Sequence, residues 1–318
     1  AAYGDREHQL SGSSGGMFEL LARKILSEQG IVCGAAFDEE QHLCQRVIDA
    51  EQDLKPLLKS KYVQSDTKTT YREVLQALKE GRKVLYAGCG CQIAGLRSFL
   101  GREYENLYVL DLLCHGGPSP KTLRKYLEEV HAGREIREIC FRDKEYFGWT
   151  AHMTVRYRDG EDYHMDRSKD LYYRAFLPVL SVRPHCQVCN YARLPRQGDL
   201  TLGDFWGAEK YDPSFTEQNG ISIVSVNSGK GEELLELLKP ELVFLQEIRR
   251  DHVLTHGQPY GNPYKTNARR TAFHRMLQDC SLEKTLEACD RNRFDIGYLG
   301  LGADSCGEIL ADYAMFRF

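Results

Sequence analysis

Two strand–loop–helix units follow one another near the middle of the chain, and they limit the folds open to it. An apolar strand at 82–87 leads through a predicted tight turn at 88–91 into a helix at 92–100. A second strand at 106–113 precedes a helix at 121–130, for which Ser119 and Pro120 predict the N-cap and the first turn. Consecutive units of this kind pair their strands in parallel through right-handed crossovers. We therefore expect an α/β fold with a mixed, partly parallel sheet.

Each of these units carries a cysteine beyond its strand, Cys91 in the first and Cys114 in the second. Ligands of parallel sheets bind beyond the carboxyl ends of the strands, so both thiols should lie at one edge. Further along, Cys186 and Cys189 form a CxxC motif, whose turn directs two sulfurs to one centre. Four such thiols suit a 4Fe-4S cluster and a four-cysteine zinc site equally well by ligand count.

The chain has 11 cysteines in 318 residues, which is the unusual part of its composition. The length, the odd count and the absence of a secretory leader make a disulfide framework the weaker explanation, so metal, iron–sulfur or redox thiols are favoured. Cys89, beside Cys91, is left without an explanation. The remaining cysteines are predicted to be packing or surface residues: Cys33, Cys44, Cys140, Cys280, Cys289 and Cys306.

Charge and hydropathy argue against a nucleic-acid-binding protein and against a membrane protein. With 42% hydrophobic residues and a net charge of -4, the chain has the profile of a soluble globular protein without the basic field that holds nucleic acid. Its apolar runs are strand-sized, and no basic-then-apolar leader is present. We therefore expect no membrane span, no nucleic-acid partner and a cytoplasmic location.

The flanking segments add a smaller region and two candidate ligand contacts. Strands at 151–158 and 161–165 around Asp159-Gly160 predict a hairpin, followed by a helix at 171–180. The loop 13–16 precedes a helix at 17–26, and its backbone N–H groups suit a phosphate, although the motif alone favours ordinary capping. Lys61 and Tyr62 are candidate ligand contacts or plain surface residues, and the sequence alone favours the latter.

Six segments in this order resemble the beta subunit of coenzyme F420 hydrogenase/dehydrogenase, over roughly residues 11–275. Each segment is weak alone, but six in the order of the family are specific. They are 13–16, 60–65, 91–96, 111–116, the Cys186/Cys189 pair, and 203–207, which reads Gly-Asp-Phe-Trp-Gly.

The resemblance implies an oxidoreductase that binds FAD and one 4Fe-4S cluster. Such a protein passes electrons between a one-electron, ferredoxin-like carrier and a small-molecule two-electron acceptor. The implied cluster ligands are Cys91, Cys114, Cys186 and Cys189, the four thiols that the spacing also selects. The residues implied to face the flavin are Ser13, Ser14, Gly15, Gly16, Lys61, Tyr62 and Val63.

The chain departs from the family pattern at three places. The family usually has Gly-Thr-Pro-Cys-Gln where this chain has Gly-Cys-Gly-Cys-Gln at 88–92, which leaves three interpretations of Cys89: an alternative ligand, a redox thiol or a neutral substitution. The N-terminal ferredoxin segment of many relatives is missing, so we expect a ferredoxin on another chain or a chain that is an excerpt. Residues 291–318 resemble the opening of a polysaccharide pyruvyl transferase domain, which predicts one domain over 1–290 and a truncated second α/β unit over 291–318.

Two rival hypotheses remain from the sequence. In the first, the chain is a non-redox accessory or scaffold domain, with a four-cysteine zinc site, in a polysaccharide-modifying fusion protein of the pyruvyl transferase type. In the second, it is a thiol–disulfide enzyme that uses Cys89 with Cys91, or Cys186 with Cys189, and needs a thiol of lowered pKa. Metal and flavin analysis separates these hypotheses from the iron–sulfur flavoprotein.

Overall fold

The computed structural model describes residues 1–4, 6–211, 220–249 and 260–291. Its strands are β1 (Ala2–Tyr3), β2 (Ile31–Phe37), β3 (Leu43–Ile48), β4 (Val84–Cys89), β5 (Leu107–Leu112), β6 (Ile136–Cys140), β7 (His152–Tyr157), β8 (Asp162–Asp166), β9 (Leu200–Asp204), β10 (Ser222–Val226) and β11 (Leu242–Phe244).

Twelve α-helices lie within the described residues: α1 (Arg6–Ser11), α2 (Met17–Ser27), α3 (Thr70–Lys79), α4 (Gly90–Leu100), α5 (Pro120–Val130), α6 (Lys144–Phe147), α7 (Leu171–Phe176), α8 (Pro184–Gln187), α9 (Ala208–Tyr211), α10 (Gly229–Leu238), α11 (Arg270–Asp279) and α12 (Leu282–Arg291). Short 3-10 turns occur at Glu51–Asp53, Lys55–Leu57, Asn190–Ala192 and Lys239–Glu241.

The main sheet has six strands in the order β10-β9-β5-β4-β2-β3. Its four inner strands run parallel, and β3 and β10 pair antiparallel at the two edges. A separate antiparallel sheet, β6-β7-β8, contains the hairpin around 158–161, and β1 pairs with β11. The predicted fold class, a mixed and partly parallel sheet with a smaller hairpin region, is therefore confirmed.

Helices cover both faces of the main sheet because successive strand residues point to opposite sides. On one face, Leu21 and Ile25 of α2 pack against Leu85 of β4. On the other face, Ile93 of α4 packs against Tyr86, the residue after Leu85 in β4. Each fully buried side chain of this kind contributes about 1.5–3 kcal/mol. The carboxyl edge of the inner strands stays outside both layers.

A third, aromatic core joins the small sheet to helices α5, α7, α11 and α12. Its members include Phe141 and Met153 from the small sheet region, Tyr172 from α7 and Phe273 from α11, all shielded from solvent. This core holds the hairpin region beside the carboxyl edge of the main sheet. Within the described residues, no helix is both long and apolar enough to cross a bilayer.

Two local predictions are wrong in their boundaries. The predicted turn at 88–91 does not exist, because β4 continues to Cys89 and α4 begins at Gly90, with Gln92 Oε1 accepting the Cys89 N–H at 3.1 Å. The predicted helix 171–180 ends at Phe176, since Val179 has a φ of 65° and the N–H of Leu180 turns back to the Ala175 carbonyl. The predicted second unit, 291–318, lies almost wholly outside the described residues.

Candidate functional site

Three cysteines lie at or just beyond the carboxyl edge of the main sheet because β4 and β5 are parallel and in register. Cys89, the last residue of β4, pairs with Leu112, the last residue of β5. Cys91 follows in the first turn of α4, and Cys114 follows two residues beyond β5. The topology therefore gives Cys91 and Cys114 the common edge that the sequence predicts.

Cys89 and Cys114 form the tightest sulfur contact at this edge, with their Sγ atoms 3.6 Å apart. The Gly116 N–H also donates to Cys114 Sγ, at 3.3 Å. The hydrogen bond from the Cys89 thiol lowers the pKa of Cys114 to about 7, and the same bond, with burial, raises the pKa of Cys89. The first of the two thiol protons is therefore lost more easily than the second, which stays on Cys89.

The CxxC motif lies in residues 183–196, here called the strap. The strap contacts this edge at both ends: the Arg183 N–H donates to the Gly117 carbonyl at 3.2 Å, and Arg196 pairs with Asp111. Cys186 is close to the Cys114 loop, since a Cβ added to Gly116 would be 3.3 Å from Cys186 Cβ. Burial and the nearby Cys114, Cys189 and Cys186 sulfurs raise the pKa of the Cys91 thiol to about 11. The Cys91 thiol thus lies within electrostatic range of the other three predicted ligands.

A buried ion pair fastens the strap to the sheet. Asp111, at the end of β5, is 2.8 Å from the guanidinium of Arg196, and both side chains are almost fully shielded from solvent. Arg196 also donates to the carbonyls of Leu112 at 2.8 Å and of Ala192 at 3.2 Å. Burial raises the pKa of Asp111 to about 6 in spite of its partner. The pair joins the C-terminal end of the strap to the end of β5.

The chemistry of the four thiols fits a metal centre of more than one kind. Four thiolates are the donor set of a 4Fe-4S cluster and of a four-cysteine zinc site alike. In the described part of the chain, no group of three or more His, Cys, Asp or Glu side chains lies close enough together to hold a metal ion. The donor chemistry therefore leaves both groups open.

The two segments that the resemblance assigns to the flavin contact each other. The Ser60 N–H donates to Ser13 Oγ at 2.6 Å. Arg142, which is 1% exposed, donates to the Ser13 carbonyl at 2.9 Å, to Tyr62 Oη at 3.1 Å and to Asp204 Oδ2 at 2.7 Å. A single buried guanidinium thus joins loop 13–16, segment 60–63 and the end of β9.

The polar groups of loop 13–16 are, however, used within the protein. Ser14 Oγ donates to the Ile221 carbonyl at 2.8 Å, and the Gly15 N–H donates to Ser222 Oγ at 2.9 Å. Gly16, with a φ of 79°, is the N-cap of α2. Ser14 Oγ and the Gly15 N–H are therefore not free to bind a flavin phosphate. FAD would fit this loop only if these internal hydrogen bonds were broken.

Of the predicted residues in segment 61–63, only Tyr62 faces the Arg142 cluster. Lys61 Nζ donates to the carbonyls of Pro56 at 2.8 Å and Leu58 at 2.7 Å, and burial lowers its pKa to about 7. Val63 is buried in the aromatic core. Two cavities, of about 560 and 220 Å³, lie elsewhere and are lined by none of the predicted flavin residues.

Aromatic rings connect the Arg142 cluster to the cysteine edge. Tyr62 stacks on Phe176 with centroids 4.9 Å apart, and Phe176 lies 4.6 Å from His115, the residue after Cys114. His115 in turn lies 4.0 Å from Tyr264. The two candidate halves of the site are therefore contiguous through packed side chains.

Sequence reasoning missed the residues that hold the site together. Arg142 and Arg196 carry no motif, since a buried arginine looks like a surface one in a single sequence. Asp204 and Trp206 lie in a matching segment but had no assigned role. Asp204 pairs with Arg142, whose guanidinium lies 4.9 Å over the Trp206 ring, and Trp206 stacks on Trp149 at 4.6 Å.

Comparison with known proteins decides the family. Residues 81–249, just over half of the chain, match the model that describes the C terminus of the coenzyme F420 hydrogenase/dehydrogenase beta subunit. The chain belongs to this family. The resemblance seen in the sequence is therefore confirmed, and with it the placement among F420 hydrogenase-like oxidoreductases. No curated protein matches the chain.

A solved structure has a similar fold. It is described as the xenon derivatization of the F420-reducing [NiFe] hydrogenase complex from Methanosarcina barkeri, and the match has a TM-score of 0.50 and 17% sequence identity. The match covers 75% of this chain and 77% of that chain. At this identity the likeness concerns the fold alone.

Proposed function

We propose that the chain is an iron–sulfur flavoprotein, which passes electrons between a one-electron, ferredoxin-like carrier and a two-electron acceptor through one 4Fe-4S cluster and FAD. The observation that carries the proposal is the meeting of Cys91, Cys114 and the CxxC strap at one sheet edge. Membership of an oxidoreductase family supports it. Iron–sulfur clusters are typical of that family.

In this proposal, Cys91, Cys114, Cys186 and Cys189 hold the cluster, which supplies one-electron chemistry when bound. The chain positions and tunes these ligands. The Gly116 N–H donates to Cys114 Sγ and so stabilises the thiolate form. The Asp111–Arg196 pair keeps the strap at the edge of the sheet.

The flavin half of the proposal is supported by the resemblance and by the contact between its two segments through Ser13 and Ser60. Arg142 and Tyr62 are the side chains of this region that stand nearest to the aromatic connection to Cys114. Binding of FAD would have to replace hydrogen bonds that Ser14 and Gly15 now make inside the protein. Flavin analysis is therefore a separate test from iron analysis.

The partner in this proposal is an electron carrier on another chain or in a ferredoxin domain. The similar solved structure is that of a hydrogenase complex, which supports an assembly with further subunits. The cytoplasmic location that the sequence predicts belongs to the same proposal.

The proposal is tested on protein purified without oxygen. We expect four irons and four sulfides per chain, one FAD, and an electron paramagnetic resonance signal after dithionite reduction. Single Ser substitutions at Cys91, Cys114, Cys186 and Cys189 should each abolish that signal. Cys289→Ala is the matched control, since Cys289 is a buried thiol of α12 and is not one of the four proposed ligands.

Two results would count against the proposal. One zinc per chain, with neither iron nor flavin after anaerobic reconstitution, would favour the scaffold hypothesis with a four-cysteine zinc site. Loss of the signal in Cys289→Ala as well would show that the cysteine variants act through folding rather than through ligation.

A further inference from the structure

The contact between Cys89 and Cys114 is not explained by the four-cysteine ligand set. Cys89 is one of the positions at which the chain departs from the family pattern, and its thiol donates to Cys114 Sγ at 3.6 Å. Two other thiols of the described chain donate to oxygen instead: Cys33 Sγ to Gln45 Oε1 at 3.6 Å and Cys44 Sγ to the His42 carbonyl at 3.8 Å. Cys89, which is not in the proposed ligand set, thus contacts the sulfur of a proposed ligand, Cys114.

We propose that Cys89 and Cys114 form a redox-active dithiol, which closes to a disulfide under a two-electron oxidant and so withdraws Cys114 from cluster assembly. The second half of this statement rests on the proposed iron–sulfur function. The first half concerns the two thiols alone.

The backbone places the two sulfurs for this reaction. Cys89 pairs with Leu112 across adjacent parallel strands, and Cys114 lies two residues beyond Leu112, where the strand has ended. An S–S bond of about 2.05 Å requires the sulfurs to approach by about 1.5 Å from their present distance. Rotation about the side-chain bonds of two partly exposed residues can supply such a movement.

The surroundings favour Cys114 as the attacking sulfur. It accepts hydrogen bonds from the Gly116 N–H and from the Cys89 thiol, both of which stabilise negative charge on sulfur. Cys89 and Cys114 are half-buried rather than fully buried. Cys33 and Cys140, by contrast, are buried.

The reaction balances with diamide as the oxidant. Cys114 thiolate adds to one nitrogen of the N=N bond, and the Cys89 sulfur then attacks Cys114 Sγ and displaces that nitrogen. One S–S bond forms, and the two thiol hydrogens with two electrons end on the nitrogens as a hydrazine. Dithiothreitol reverses the step.

The test uses the full chain, freed of metal by a chelator under reducing conditions and then exposed to one equivalent of diamide. We expect loss of two free thiols and a cross-linked peptide that joins the segment with Cys89 to the segment with Cys114. Cys91→Ser should keep this cross-link, and Cys89→Ser should lose it. Because Cys89 and Cys91 lie on one tryptic peptide, this pair of variants identifies the sulfur that reacts.

Cluster loading gives the second measurement. After diamide, iron uptake by the wild-type chain should fall at least about tenfold, as expected when one ligand is withdrawn, and dithiothreitol should restore it. Cys89→Ser and Cys89→Thr should load equally with and without diamide. Thr is the residue of the family at this position and protects the test against a folding defect of the Ser variant.

The outcomes separate this inference from the proposed function. A cross-link of Cys114 to Cys91, Cys186 or Cys189, or equal sensitivity of Cys89→Ser to diamide, would overturn the dithiol. Failure of the reduced wild-type chain to load any cluster would instead overturn the iron–sulfur function, whatever the peptide map shows.

Discussion

Asp111 and Arg196 form an ion pair, 2.8 Å apart, in which both side chains are withdrawn from solvent. The pair connects the end of β5 to the end of the CxxC strap, and these are the segments that bring Cys114 and Cys186 together. Burial penalises both charges, so each depends on the other. The geometry of the cysteine site therefore depends on two residues that do not themselves carry sulfur.

Replacement of Arg196 with Met should therefore weaken both the fold and the metal site. We expect a loss of about 3–5 kcal/mol in the free energy of unfolding, because Asp111 is left buried without its partner. Urea denaturation measures this loss, and iron analysis after reconstitution should show less iron per chain. Lys83→Met is the control, since its pair with Glu28 is exposed and should contribute at most about 1 kcal/mol. Equal losses in the two variants would contradict the anchoring role.

The sheet and the common edge of Cys91 and Cys114 were predictable because they follow from local patterns. Alternation of strands with amphipathic helices fixes parallel pairing, and parallel pairing fixes which strand ends share an edge. The position of the strap was not predictable in this way. It depends on contacts between residues distant in the chain, such as that of Arg196, whose Nη2 reaches the Leu112 carbonyl across 84 positions.

The candidate flavin segments were found only through resemblance, and composition explains why. Ser13 and Gly16 form an ordinary helix entry, and nothing in the sequence indicates that Arg142 will be buried against Ser13 and Asp204. The contact of Cys89 with Cys114 was missed for another reason. The register of β4 against β5 decides which of Cys89 and Cys91 faces Cys114, and the predicted turn at 88–91 left that register undefined.

A side chain at Gly116 would cause both backbone strain and a steric clash at the site. Its φ is 103°, and an added Cβ would lie 2.5 Å from Val182 Cγ1 and 3.3 Å from Cys186 Cβ. Gly116→Ala should cost about 1–2 kcal/mol from the left-handed backbone and more from the contact, and it should displace Cys186 from Cys114. Unfolding midpoints and iron content measure the two effects.

Gly133→Ala is the matched control for this prediction. Gly133 has a φ of 75°, and an added Cβ would meet nothing within 4 Å. The variant should therefore lose about 1–2 kcal/mol from the backbone alone and keep its iron. If both glycine variants keep their iron, the close approach of the Cys114 loop to the strap is not needed for metal binding.

Arg142→Gln should disrupt the region that the resemblance assigns to the flavin. The change leaves Asp204 without its cation, and it removes donors to Ser13 and Tyr62, so we expect a loss of about 3–5 kcal/mol in unfolding free energy. Tyr62→Phe removes one hydroxyl acceptor from the same cluster and should cost only about 1 kcal/mol. Thermal or urea unfolding compares the two. A cost of Tyr62→Phe as large as that of Arg142→Gln would place the main interaction on the tyrosine.

Acid should destabilise the small sheet region through His131. This residue is 3% exposed, and its Nδ1 lies 2.7 Å from Tyr157 Oη. Burial, with help from Arg134, lowers its pKa from 6.5 to about 4. Between those values the unfolded chain binds a proton that the folded chain does not, so the stability present above pH 6.5 is lost as the pH falls towards 4.

The size of this effect at pH 5 is at most about 2 kcal/mol, since one pKa unit corresponds to about 1.4 kcal/mol. Urea midpoints at pH 7.5 and pH 5 should therefore differ less in His131→Asn than in the wild-type chain, whatever the cost of the substitution at neutral pH. His185→Asn is the control, because His185 is an exposed residue of the strap. The folded core accommodates His131 only as the neutral ring, and Asn cannot be protonated in its place. An unchanged pH dependence in His131→Asn would therefore mean that another group causes the acid sensitivity.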